Sequence, residues 1–191
     1  MTHPVRFVIT DDLRRSRVTV LFRLPLAVPH YLWATLWSYA VAPLLVFQWL
    51  WVVFAGHLDG DVHSFLTRFA RYHVHLYAYL LVFANPWPRF TGRPGYPVDL
   101  EIDEPERQRR ATVVFRLVLA LPALIFASVL GTVMALLAFF GWFAALALGR
   151  MPVGMQELGT YCLRYQTQTY AYLLLLTPRY PTLAGGATAS G

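Results

Sequence analysis

FRLPLAVPHYLWATLWSYAVAPLLVFQWLWVVFAG, residues 22–56, and FRLVLALPALIFASVLGTVMALLAFFGWFAALALG, residues 115–149, are the stretches on which the reading of this chain turns. Behind the shared Phe-Arg entry, each runs from Leu24 to Gly56 or from Leu117 to Gly149 without an Asp, Glu, Lys or Arg. About 20 apolar residues make one membrane span. The apolar units, about Val18–Gly56 and Ala111–Gly149, are therefore long enough for two short spans joined by a tight turn. The sequence predicts a helical hairpin in each, turning near Ser38-Tyr39 and near Gly131-Thr132. A re-entrant hairpin that dips in without crossing satisfies the same pattern.

Working outward, arginines stand before each stretch (Arg14, Arg17, Arg23; Arg110, Arg116) and after it (Arg68, Arg71; Arg150, Arg164), and the turns carry none. By the positive-inside rule both ends of each hairpin, and both termini, are expected on the cytoplasmic side of the inner membrane. The whole composition agrees. The chain is 57% apolar and 14% charged, against about 25% charged residues in a soluble domain. The net charge of +6 sits next to the apolar runs, which points to a bilayer with anionic headgroups rather than to nucleic acid. A single cysteine, Cys162, leaves no intrachain disulfide and no zinc set. The N-terminal residues have no basic-then-apolar pattern, so no cleaved signal peptide is expected.

The two stretches are copies of one unit. At an offset of 93 residues, 4–88 aligns with 97–181 without a gap, and 28 of those 85 positions are identical. That excess over chance identity implies a tandem duplication. Repeat 1 covers 1–88 (hairpin about 18–56, amphipathic helix about 64–83) and repeat 2 covers 97–181 (hairpin about 111–149, amphipathic helix about 155–176). Between them lies a Pro/Gly-rich linker, 89–96, and the small-residue tail 182–191 reads as disordered.

Each unit begins with a period-2 segment, Val5, Phe7 and Ile9 in one copy and Val98, Leu100 and Ile102 in the other, the signature of a strand. If the copies are related by an axis along the membrane normal, these strands meet antiparallel and bring Arg6 to the acidic side of the second. Each unit closes with a helix carrying Arg71, Tyr72 and Tyr79, repeated as Arg164, Tyr165 and Tyr172. It reads as an interfacial amphipathic helix with Arg and Tyr at headgroup depth; a polar third span buried among the others is the alternative. Arg23 and Arg116, at the span entrances, read as structural anchors that snorkel to phosphates. The fold class is thus an all-α integral membrane protein of two repeats, each a short β-strand, a hairpin and an amphipathic helix. Small residues at four-residue spacing, Ala127, Gly131, Ala135 and Gly141, Ala145, Gly149, would let the second hairpin pack closely.

The pattern Phe-Arg-Leu-x-Leu-Ala-x-Pro at 22–29 and 115–122 carries a resemblance, together with Tyr96-Pro97-Val98 and Tyr-Ala-Tyr-Leu-Leu at 77–81 and 170–174. The ending Leu-Thr-Pro-Arg-Tyr-Pro at 176–181 belongs to the same pattern. The chain resembles, over nearly its whole length, two copies of a family of bacterial and archaeal membrane proteins known as domain of unknown function 4389. Gly149-Arg150-Met151-Pro152 follows the family's turn, and Gly56-His57-Leu58-Asp59 departs from it. The resemblance implies a membrane protein and supplies no activity or site residues.

That departure holds His57, Asp59, Asp61 and His63, an alternation that could reach a divalent metal if the loop curled. Repeat 2 has Arg150, Pro152, Gly154 and Gln156 in those places, so a polar surface turn explains the residues equally well. No nucleophile elbow or phosphate-cradling Gly loop occurs, and no cofactor or catalytic residue is expected. The favoured functional reading is a non-catalytic membrane scaffold or accessory subunit with a protein partner or a second copy of itself; the alternative is a protein that binds or moves lipids, holding anionic headgroups at the cytoplasmic interface.

Overall fold

The computed structural model describes residues 3–183 and 188–189. The order is β1 (Val5–Ile9), α1 (Arg17–Leu21), α2 (Arg23–Ala55), α3 (Gly60–Leu80), then β2 (Val98–Ile102), α4 (Arg110–Val114), α5 (Arg116–Leu148), α6 (Val153–Leu173) and β3 (Thr188–Ala189). The second set repeats the first at the 93-residue offset.

β1 and β2 pair antiparallel, Val5 with Ile102, Phe7 with Leu100 and Ile9 with Val98. Because Leu100 is the counterpart of Phe7, this register places a pseudo-twofold axis through that pair. Arg6 does reach the acidic side of β2, at 2.8 Å from Asp103 and 3.8 Å from Glu101. The open edge of β1 takes β3 in parallel, Val8 beside Thr188. This corrects the expectation of a disordered tail for residues 188–189; residues 184–187 and 190–191 lie outside the described residues.

The hairpins are the main correction. Each charge-free stretch is one unbroken 33-residue helix, α2 or α5, ending on a left-handed glycine, Gly56 or Gly149. Nothing at the expected turns breaks a helix. The Ser38 hydroxyl donates to the Ala34 carbonyl and the Thr132 hydroxyl to the Ser128 carbonyl, four residues back, so both side chains close on their own helix. Pro29, Pro43 and Pro122 are carried inside the helices. At ~1.5 Å per residue each helix is about 50 Å long, and both are long and apolar enough to cross a membrane.

The repeats are interlocked at both ends of these helices. The Arg15 N–H donates to the Gly149 carbonyl, and the counterpart Gln108 N–H to the Gly56 carbonyl. The Trp49 indole N–H donates to the Val113 carbonyl and Trp142 to Val20, so each long helix is tied to the entry helix of the other repeat. The segments that leave β1 and β2 thus hold the far end of the opposite long helix.

α3 and α6 sit at the centre. Tyr72 and Tyr79 are fully buried on α3, and Cys162, Leu163 and Thr169 on α6. The reading as peripheral amphipathic helices is corrected accordingly. Thr160, Thr167 and Thr169 bond back to carbonyls on their own helix, which is how a polar helix tolerates burial. The small-residue face of α5 serves α6: a Cβ at Gly131 would lie 2.7 Å from the Gln166 amide nitrogen, and one at Gly141 2.7 Å from the end of Met151.

Both central helices end alike. Phe83 N–H bonds to the Ala78 carbonyl and Leu176 N–H to Ala171, the six-to-one link of a Schellman turn. The left-handed position is Val82 (φ 64°) or Leu175 (φ 63°) where glycine is usual. Side chains from the other repeat and the entry segments hold the strained ends. Arg15 donates to the Val82 and Phe83 carbonyls while paired with Asp11 at 2.7 Å, and Gln108 donates to Leu175.

Candidate functional site: a basic cleft over the third helix

α3 begins where Asp59 caps it, its carboxylate accepting from the Asp61 N–H. That capping disperses the loop proposed for metal. His57 bonds the Ala55 carbonyl at the surface, Asp61 lies in the first helical turn, and His63 turns inward at 6% exposure. Among the described residues no group of three His, Cys, Asp or Glu could hold a metal.

One turn further, α3 presents Arg68 and Arg71 toward the linker. Residues 91–94 cross directly over them. Gly92 adopts φ +58°, and a Cβ there would fall 2.1 Å from the Arg68 carbonyl oxygen, so only glycine lets the backbone lie this close. The result is an open cleft of about 360 Å³ lined by Arg68, Arg71, Thr91, Gly92, Arg93 and Pro94.

Below it lies a buried polar cluster. Arg71 donates to the Leu100 carbonyl at 2.8 Å and stands 3.4 Å from the Asp99 carboxylate. Asp99 also accepts from His75 at 2.8 Å and from the Gly95 and Leu100 N–H groups. Burial opposes its charge, yet the bonds from His75 and the two backbone donors prevail and hold the carboxyl below its usual range. His75 stacks on Tyr96, whose hydroxyl burial pushes upward. Arg71 is therefore partly neutralised, whereas Arg68 and Arg93 make no ion pair among the described residues.

The cleft is flanked by aromatic side chains of repeat 1. Trp33 donates to the Phe90 carbonyl, His30 stacks on Phe90 and lies near Trp87, and Tyr72 shares hydrogen bonds with His30. On the other side of α3, Tyr31, Ala34, Tyr39 and Ala42 of α2 face His73, Leu76 and Tyr77 across an open groove of about 490 Å³. A further cavity of about 290 Å³ sits between α3 and α6. It is walled by counterpart pairs: Ala70 with Leu163, His73 with Gln166, Val74 with Thr167, Tyr77 with Tyr170.

The expected anchors are placed elsewhere than at a headgroup surface. Arg23 and Arg116 are each 1% exposed, stack on Tyr79 and Tyr172, and donate to those residues' own carbonyls. Tyr72, Tyr79, Tyr165, Tyr172 and Arg164 are all buried. A guanidinium that can reach a ring and a carbonyl inside the fold has no need to extend to water. Arg68, Arg93 and Asp99, which form the cleft and its floor, carry no motif; the signal available was that Asp99 and His75 become Arg6 and Gln168 in the other copy.

Residues 17–90 and 110–184 both match the family described as Domain of unknown function (DUF4389). No curated protein and no solved structure matches the chain. Two matched regions that span most of its length show that the chain belongs to the DUF4389 family, as a tandem pair.

Proposed function

We propose that this is an inner-membrane protein that binds anionic lipid, with the headgroup phosphate in the Arg68/Arg71/Arg93 cleft. The cleft carries the reading: two arginines without an acid partner among the described residues converge there with a third, beside the aromatic shelf of Trp33, His30 and Phe90. Arginine and aromatic side chains at one depth suit the phosphate level of a bilayer.

In this arrangement α2 and α5 lie in the hydrocarbon with both ends held by the strand-bearing side, which is cytoplasmic along with both termini. The bonds from Arg15 and Gln108 tie the C-terminal ends of α5 and α2 to that side, and the cytoplasmic assignment follows from the arginines that flank the apolar stretches. Catalysis has no part in it. A scaffold acting through its tryptophans is less favoured, because Trp33, Trp49 and Trp142 already donate within the fold.

Mass spectrometry of lipids retained in mild detergent tests the proposal. The native protein should carry anionic phospholipid in preference to zwitterionic, and Arg68→Ala with Arg93→Ala should abolish that preference. Equal retention by the folded double variant, or a stoichiometric protein partner in place of lipid, would overturn it.

A further inference from the structure

The two repeats treat their central arginine differently. In repeat 1, Arg71 has the Asp99 carboxylate and the Leu100 carbonyl. Moving by 93 residues turns Arg71 into Arg164, His75 into Gln168, Tyr96 into His3 and Asp99 into Arg6. The carboxylate is lost in that exchange. Arg6 turns outward to Glu101 and Asp103, and among the described residues no acid pairs with Arg164.

Arg164 is only 6% exposed, with its guanidinium carbon 5.1 Å from the Tyr161 ring centre. It makes no ion pair or hydrogen bond among the described residues, and its Nε is buried without a partner. His3 accepts from the Val5 N–H, and its ring also interacts with the Tyr180 backbone. The two are electrostatic neighbours, and Arg179, paired with Glu106 at 3.5 Å, adds positive charge nearby. Burial lowers the proton affinity of both Arg164 and His3, as expected where cations are desolvated with nothing opposite. A buried cation of this kind is costly unless a counter-charge arrives.

We infer that Arg164 of repeat 2 binds an oxyanion, a phosphate or carboxylate group, in the place that the Asp99 carboxylate fills in repeat 1. The ligand completes by binding what repeat 1 has built into its chain. Arg164 supplies planar donors suited to an oxyanion. The site is independent of the Arg68/Arg71/Arg93 cleft, which lies on the other repeat.

The test restores the missing acid. Arg6→Asp puts a carboxylate at the position equivalent to Asp99, and Arg164→Gln removes the cation. Thermal unfolding of the full chain in detergent is followed with inorganic phosphate against chloride at equal ionic strength, and co-purified phospholipid is measured in parallel. A phosphate-specific rise in midpoint that disappears in both variants identifies a free anion as the source. Phospholipid retained by the native protein and by Arg68→Ala, but lost from both variants, identifies a lipid headgroup. Because Arg6→Asp also gives up the ion pairs with Glu101 and Asp103, the midpoint of each protein is compared with and without phosphate rather than with that of the native chain. If neither phosphate response nor lipid content differs between the native chain and both variants, the inference fails, whatever becomes of the cleft in repeat 1.

Discussion

The Arg23 guanidinium lies 4.5 Å from the centre of the Tyr79 ring and bonds to the Tyr79 carbonyl, and Arg116 repeats the arrangement on Tyr172 at 4.4 Å. Each pair joins the start of a long helix to the end of the central helix in its own repeat. Removing the side chain leaves the Tyr79 or Tyr172 carbonyl to its 3.2 Å bond from the Val82 or Leu175 N–H, and ends a desolvated cation–π contact worth about 2 kcal/mol. Arg23→Ala and Arg116→Ala should each lower the unfolding midpoint measured in detergent. Arg→Lys should recover little, because an ammonium cannot stack flat and donate sideways at once.

His63 gives the fold an acid sensitivity with a definite sign. Burial lowers the proton affinity of its imidazole, a backbone bond involving Leu176 opposing this only in part. With the folded value below the unfolded one, about 6.5, stability is full above that pH and is lost as the pH falls from about 6.5 toward the folded value. Repeat 2 has Gln156 at this position, donating to the Phe83 carbonyl, the counterpart of Leu176. His63→Gln should therefore keep the fold at pH 7.5 and flatten the decline between pH 7 and pH 5 in denaturation curves.

Comparison of the two copies revealed the architecture well and the site poorly. The 93-residue offset, the Phe-Arg entry and the terminal glycines carried the repeat, the bounds of the apolar stretches and the antiparallel strands, because such features recur wherever the backbone path recurs. The same comparison drew attention to Arg14 and Arg17, retained in both copies and exposed. Arg15, which becomes Gln108, escaped notice although both side chains hold a strained helix end. Residue identity was the wrong signal there: a guanidinium and an amide can donate to the same carbonyl. The hairpin turns were misplaced for a related reason. Thirty-three uncharged residues fit two short spans or one long helix, and only the local bonding of Ser38 and Thr132 separates them.

Gly92 and Gly95 separate two ways in which a glycine can matter. Both have positive φ, +58° and +99°, but a Cβ at Gly92 would strike backbone 2.1 Å away, whereas at Gly95 nothing lies within 4 Å. Gly95→Ala should cost about 1–2 kcal/mol of conformational strain and leave lipid content unchanged. Gly92→Ala must push residues 91–94 off α3, so it should cost more in thermal unfolding and also remove the anionic-lipid preference.

Placement of the long helices in the bilayer can be read with single cysteines, because the native Cys162 is fully buried and silent to reagents. Ser38 and Thr132 stand near the middle of α2 and α5, at counterpart depths within two positions of the 93-residue offset. If both ends of each helix belong to the strand-bearing side, these midpoints lie within hydrocarbon or at its far edge. Ser38→Cys and Thr132→Cys should then resist an impermeant maleimide added from outside intact cells, and react only after detergent is added. A cysteine in the linker, Thr91→Cys, should be protected in intact cells but should label in inverted vesicles. Labelling of Thr91→Cys from outside would invert the assigned orientation. Ready labelling of the two midpoints from outside would overturn the placement of α2 and α5 within the hydrocarbon.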